Sequence, residues 1–257
     1  MAESNNWGSL GKKVFFLYPA ALIQNQIAAE LAQEEFEVYT VRDENKLKRV
    51  LHNYKDSIIL VNINEGLKES AWEEWIKGLI ANPETPDLLV SVISMGNDDT
   101  LKRKYTELLK GRGGFMVLKS DMAMMTKQLI DILNGMNAKG RRKYIRAITE
   151  NETNTTVNLP INGTYVNGMI KDLSVVGFSC SFADDPNLTK NSLFGDLQLR
   201  LQSQLIKAEG IVFGSRMEGT EKVYVILFTQ RINPDVKTRI RKYIQSNLQS
   251  KMDIELR

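Results

Sequence analysis

One cysteine and one histidine stand among 257 residues. Cys180 alone closes no internal disulfide, and together with His52 it falls short of a structural zinc site, so disulfide scaffolds and sulfur–imidazole metal centres are excluded. Six prolines and 17 glycines are too few for a collagenous or low-complexity chain. Long apolar runs are missing too. Ser57 to Ile63 and Leu88 to Ile93 are strand-sized, far short of the roughly 20 residues that a membrane-spanning helix needs, so no membrane insertion is expected. Met1 to Leu10 is polar with no apolar stretch, which predicts no secretory signal and a cytoplasmic chain. A net charge of +3 with 42% apolar residues excludes wholesale disorder, and the length allows one large domain or two ordinary ones.

What is present falls into two halves. From Lys12 to about Leu133, short apolar runs alternate with segments of helical period. Val14–Leu17, Glu37–Val41, Ser57–Ile63, Leu88–Ile93 and Phe115–Leu118 read as strands. Apolar faces such as Leu22/Ile23/Ile27/Leu31 and Trp72/Ile76/Leu79 read as helices between them. Five strands and five helices in alternation predict a doubly wound parallel sheet covered on both faces, an α/β domain over 1–134. Residues 135–140 are small and polar and are expected to form a linker.

From Arg141 to Arg257 the segments are strand-sized up to Gln230, which predicts an all-β antiparallel barrel. Asn233-Pro234 then starts a C-terminal helix, with Asn as cap and Pro at the first helical position.

The sharpest signal is Arg142-x-x-x-Arg146 followed by Asp172-x-Ser174-x-x-Gly177. The first pattern is expected about 0.7 times by chance in this composition, the second only about 0.05 times. Together, in this order and across the start of a barrel, they resemble the PilZ family of cyclic di-GMP receptors, over about Lys139 to Leu248. The chemistry agrees. A guanidinium fork matches phosphate oxygens and guanine O6/N7, and its face stacks on a purine, which suits Arg141, Arg142 and Arg146. Lys139 and Lys143 add long-range attraction. A carboxylate at Asp172 can accept from guanine N1–H and N2–H. Ser174 can bond backbone or phosphate, and Gly177 permits a positive φ or a close backbone approach. Arg216 stands where many family members carry a basic residue. The resemblance implies a non-catalytic receptor with no cofactor. Its ligand would be cyclic di-GMP, and its signal a changed domain arrangement presented to an unidentified protein partner in motility, exopolysaccharide or virulence control.

The first half is similar to a response-regulator receiver in its alternation, without the receiver's chemistry. Tyr18-Pro19 replaces the acidic pair after the first strand, and Asn62 or Asn64 stands at the acceptor position. Ser94 and Lys119-Ser120 match later positions, yet no carboxylates remain to hold Mg²⁺. A pseudo-receiver that is not phosphorylated is therefore expected. Gly111-Arg-Gly-Gly114 lacks a following Lys-Ser/Thr and reads as a helix–strand turn. Trp72 and Trp75, and Met122, Met124 and Met125, read as packing residues, and Cys180 as buried and inert. A reading of another class is a basic nucleic-acid-binding or structural adaptor that tracks phosphates through the arginine segment. Such a protein does not need the Asp172–Ser174–Gly177 turn.

Overall fold

The computed structural model describes residues 11–118 and 121–257. The readings placed on Met1–Leu10 and on Lys119-Ser120 lie outside the described residues. Contacts divide the chain into two compact units, Met1–Lys143 with Leu248–Arg257, and Tyr144–Asn247.

The first unit is built on five parallel strands, β1 (Val14–Leu17), β2 (Val38–Val41), β3 (Ile58–Asn62), β4 (Leu89–Ser94) and β5 (Gly113–Val117), in the order β2-β1-β3-β4-β5. This is the doubly wound, receiver-like order expected from the alternation. The helices are α1 (Ala28–Gln33, entered through a π-helical turn at Ile23–Ile27), α2 (Glu44–Val50), α3 (Glu69–Ile80), α4 (Asp99–Leu108) and α5 (Met122–Gly135). Alternate strand residues feed two cores. Phe15, Leu17, Ile59, Val61, Val90 and Val92 pack with Trp72 and Ile76 of α3. Val14, Phe16, Ile58 and Leu60 pack with Leu31 of α1 and Leu129 of α5. Helix starts are set by aspartates whose side chains accept backbone N–H groups: Asp43 for α2, Asp98 for α4 and Asp121 for α5. The glycine run resolves into a helix–strand turn in which a Cβ on Gly113, at φ +150°, would lie 1.8 Å from the Val90 carbonyl oxygen.

Two local expectations change. Met125 is buried, but Met122 and Met124 are 37% and 49% exposed, because the buried face of α5 runs through Met125, Leu129 and Leu133 and the other two lie off it. The stretch 135–140 is tied down in part: Gly135 closes α5, and Ala138 is buried, with its carbonyl accepting from Lys12 N at 2.8 Å.

Residues 248–257 complete the first unit. Met252 and Leu256 enter its core beside Tyr39 and Leu51. The side-chain amide of Gln249 accepts from Thr40 N at 2.9 Å and donates to Thr40 O at 3.0 Å, so it stands in for a neighbouring strand on the β2 edge.

The second unit is a closed barrel of six antiparallel strands: β7 (Thr155–Ile161), β8 (Thr164–Ser174), β9 (Gly177–Phe182), β10 (Leu193–Leu201), β11 (Gln204–Glu218) and β12 (Glu221–Phe228). The order β8-β7-β10-β11-β12-β9 closes by pairing of β9 with β8, and a short strand, β6 (Ala147–Ile148), adds to β8. Val157, Leu159, Ile170, Phe178, Leu197, Leu199, Val212 and Ile226 fill the interior with Cys180, whose thiol pKa burial pushes up. Helix α6 (Pro234–Glu255) starts where Asn233-Pro234 predicts, with Asn233 Oδ1 accepting from Asp235 N at 2.8 Å. Its first part buries Ile240, Tyr243 and Ile244 in this unit.

Candidate ligand-binding site on the barrel

The register of β8 against β9 shifts between Ile170 and Asp172. Ile170 and Leu173 are both fully buried, so the extra residue leaves Lys171 and Asp172 together on the outer side of the barrel. A bulge of this kind re-aims a side chain. Here it brings Asp172 opposite Ser179.

Both oxygens of Asp172 are engaged. Arg146 Nη1 donates to Oδ1 at 3.0 Å, and the Ser179 hydroxyl donates to Oδ2. The Arg146 side chain remains 44% exposed, whereas that of Asp172 is 15% exposed. Beside them Lys171 pairs with Glu221 at 2.6 Å and with Glu150 at 3.6 Å, and hydrogen bonding to Glu221 raises its pKa. A cation, a carboxylate and a second ion pair thus share one stretch of outer barrel wall, an arrangement able to meet a ligand carrying both anionic oxygens and N–H donors.

Ser174 and Gly177 serve the turn. The Ser174 hydroxyl, 3% exposed, donates to the Gly177 carbonyl at 3.0 Å across the Val175-Val176 reversal. Gly177 has no positive φ. It is there for close approach, since a Cβ would lie 2.4 Å from the Ile226 carbonyl oxygen and 3.0 Å from Leu227 Cα.

Arg216 is not brought to Asp172. It stands on β11 opposite Val223, and both its Nε and Nη2 reach Glu218 Oε1, at 2.7 and 2.6 Å. Arg141 and Arg142 are exposed and fall on the first unit's side of the division at 143/144. Lys139 is held within the first unit, over the Phe36 ring at 4.6 Å and 3.9 Å from Glu34. Ser179 was not singled out by sequence. A serine on a strand carries no motif signal, and only the cross-strand register shows what it faces.

A second concavity of the barrel, of about 640 Å³, lies by the β11–β12 hairpin and is lined by Phe182, Asp185, Met217, Lys222 and Tyr224 among others. Within it Asp185 accepts from Tyr224 and from Lys222, and these bonds hold its carboxyl down at about 2, while Glu221, also on its wall, pairs with Lys171. None of the motif residues lines it.

At the receiver-like corner of the first unit the side chains close on themselves. Asn62, 3% exposed, donates to Tyr18 O at 2.9 Å, and its oxygen accepts from Asn64 N at 3.1 Å. Asn64 Oδ1 accepts from Met95 N at 2.9 Å, and Ser94 Oγ donates to Gly96 O at 3.0 Å. Tyr18 donates to Glu44 at 2.8 Å, and its burial with that contact pushes its pKa up to about 12. Among the described residues no cluster of His, Cys, Asp and Glu side chains could hold a metal ion.

The two units are therefore a receiver-like α/β unit and a six-stranded antiparallel barrel with a C-terminal helix. Residues 140–246 match the PilZ domain. None of the curated protein sequences matches the chain. Among solved structures it is similar to the PilZ domain of YcgR from Escherichia coli with c-di-GMP, at 13% identity and a TM-score of 0.38, over 44% of this chain and 96% of that one. YcgR from the same organism in complex with c-di-GMP matches at 15% identity and a TM-score of 0.39, over 45% of this chain and 50% of that one. The chain thus spans about half the length of that relative. The chemotaxis protein CheY4 of Vibrio cholerae matches at 15% identity and a TM-score of 0.39, over 48% of this chain and 99% of that one. No helix among the described residues is long and apolar enough to cross a membrane.

Proposed function

We propose that this protein is a non-catalytic, cytoplasmic receptor for cyclic di-GMP whose ligand lies against the outer wall of the barrel. The observation that carries the reading is the meeting of Arg146 with Asp172, residues 26 apart in sequence, at the head of the Asp172-x-Ser174-x-x-Gly177 turn within the stretch that matches the PilZ domain. Asp172 accepts from the Watson–Crick edge of one guanine. Arg146 turns its exposed fork to a phosphodiester or to guanine O6/N7. Arg142 joins through chain proximity alone: it lies four positions before Arg146, a span of at most about 14 Å. Arg141 precedes it, and Arg216 is left to its pairing with Glu218. Ser174 and Gly177 shape the turn from behind. Ligand capture at Arg141–Arg146 restrains the chain where it passes between the units, and a downstream protein partner reads the resulting change of domain arrangement. The family's outputs of motility, exopolysaccharide and virulence control define the class of partner.

Calorimetric titration of the full chain with cyclic di-GMP, set against a nonspecific oligonucleotide, tests this. Saturable binding of the cyclic dinucleotide, with the oligonucleotide bound weakly and lost in salt, is expected. The reverse preference would make the protein a phosphate-tracking adaptor instead.

A further inference from the structure

The geometry points to Ser179 as a positioning residue that fixes the rotation of the Asp172 carboxylate and thereby sets its preference for guanine. The inference rests on the cyclic di-GMP reading above. Ser179 is 2% exposed, so its own hydroxyl is not offered to a ligand. It faces outward from the barrel, between the inward-pointing Phe178 and Cys180, and stands directly opposite Asp172. Its hydroxyl donates to Oδ2.

A carboxylate on an sp³–sp² torsion rotates over a broad, two-fold well when nothing holds it. Guanine presents N1–H and N2–H as parallel donors on one edge, and a carboxylate answers both only when its plane lies in the plane of the base. Asp172 sits on a bulge, where the ladder does not dictate its side-chain direction. With Ser179 on one oxygen and Arg146 on the other, the plane is fixed from two sides. The two contacts differ in permanence. Arg146 is 44% exposed and can turn to the ligand, whereas Ser179 is buried and stays. Each carboxylate oxygen accepts more than one hydrogen bond, so the serine contact leaves capacity for the base.

The test compares cyclic di-GMP with its hypoxanthine analogue, cyclic di-IMP, which keeps both phosphodiesters and N1–H but lacks the N2 amino group. The wild-type chain is expected to prefer the guanine ligand. Ser179→Ala should weaken cyclic di-GMP by about five- to tenfold, the size of one ordinary net hydrogen bond, because the lost contact orients the carboxylate and does not itself touch the ligand, and should weaken cyclic di-IMP less, so the preference narrows. Ser179→Thr, which keeps the hydroxyl on a strand position that tolerates β-branching, should retain the preference. Ser179→Cys, close in volume with only a weak donor, serves as the second hydroxyl-poor variant if the alanine chain fails to fold by circular dichroism. Unchanged affinity in the hydroxyl-poor variant, or equal weakening of both ligands with the preference kept, would overturn the inference. A wild-type chain that binds neither dinucleotide would instead overturn the ligand reading on which it rests.

Discussion

Arg146 and Asp172 meet at 3.0 Å across 26 residues of sequence, joining the second arginine of one motif to the first residue of the other. The pair lies on the outer wall of the barrel, with the arginine side chain 44% exposed, so its net contribution to folding is of surface size, about 0–1 kcal/mol. Its larger consequence is for a ligand. Arg146→Ala, and likewise Arg142→Ala, should weaken cyclic di-GMP by more than tenfold, a loss of about 1.5–3 kcal/mol for a charge-assisted bond to an anionic partner. The circular dichroism spectrum should stay unchanged. Wild-type affinity in a folded Arg146→Ala chain would remove that residue from the site.

Gly177→Ala tests the turn rather than the ligand. The added Cβ would meet backbone atoms, the Ile226 carbonyl oxygen at 2.4 Å and Leu227 Cα at 3.0 Å, and backbone cannot step aside as a flexible side chain can. Overpacking of this kind costs about 1–3 kcal/mol, which in a chain of this size lowers Tm by roughly 2–12 °C. A melting curve unchanged from wild type would show that β9 and β12 can separate without cost.

The receiver-like unit should not take up a phosphoryl group. The corner where an acceptor carboxylate would stand holds Asn62 and Asn64, each bonded internally, and an amide neither forms an acyl phosphate nor neutralises Mg²⁺. Incubation of the full chain with acetyl phosphate and Mg²⁺, followed by intact mass measurement, should show a single unmodified species. An added phosphoryl mass would contradict this.

Truncation after Asn247 should destabilise the first unit, far away in sequence. It removes Met252 and Leu256, 2% and 8% exposed, from the core, and with Gln249 it uncovers both backbone groups of Thr40. Loss of one large buried side chain alone costs about 2–5 kcal/mol. Amide exchange at Thr40 should accelerate in the truncated chain, and unchanged protection there would mean the segment only rests on the surface.

Much of this was legible in the sequence because it rests on local rules. The strands of the first unit announce themselves as short apolar runs between segments of helical period, and Asn233-Pro234 marks the start of α6 as side-chain chemistry requires. The barrel motif was legible as a motif, while the division of labour inside it was not. Whether Ser174 faces a ligand or the Gly177 carbonyl depends on which side of the strand it occupies. The bulge at Lys171 shifts that count by one residue without leaving a mark in the sequence. Ser179, Lys171 and Glu221 enter the site only through cross-strand register. The docking of Met252 and Leu256 into the first unit was hidden because a continuous helical period from Val236 to Leu248 says nothing about which core receives each turn.

Amide hydrogen exchange of the full chain, with and without saturating cyclic di-GMP, tests the central claim most directly, because it asks where the ligand sits without altering any residue. Protection should rise in two separated stretches, Arg141–Ala147 and Lys171–Ser179, with the interior of β7 and β10 unchanged. Protection rising instead around Asp185 and the β11–β12 hairpin, or nowhere in the barrel, would contradict the assignment of Arg146 and Asp172 as the ligand site.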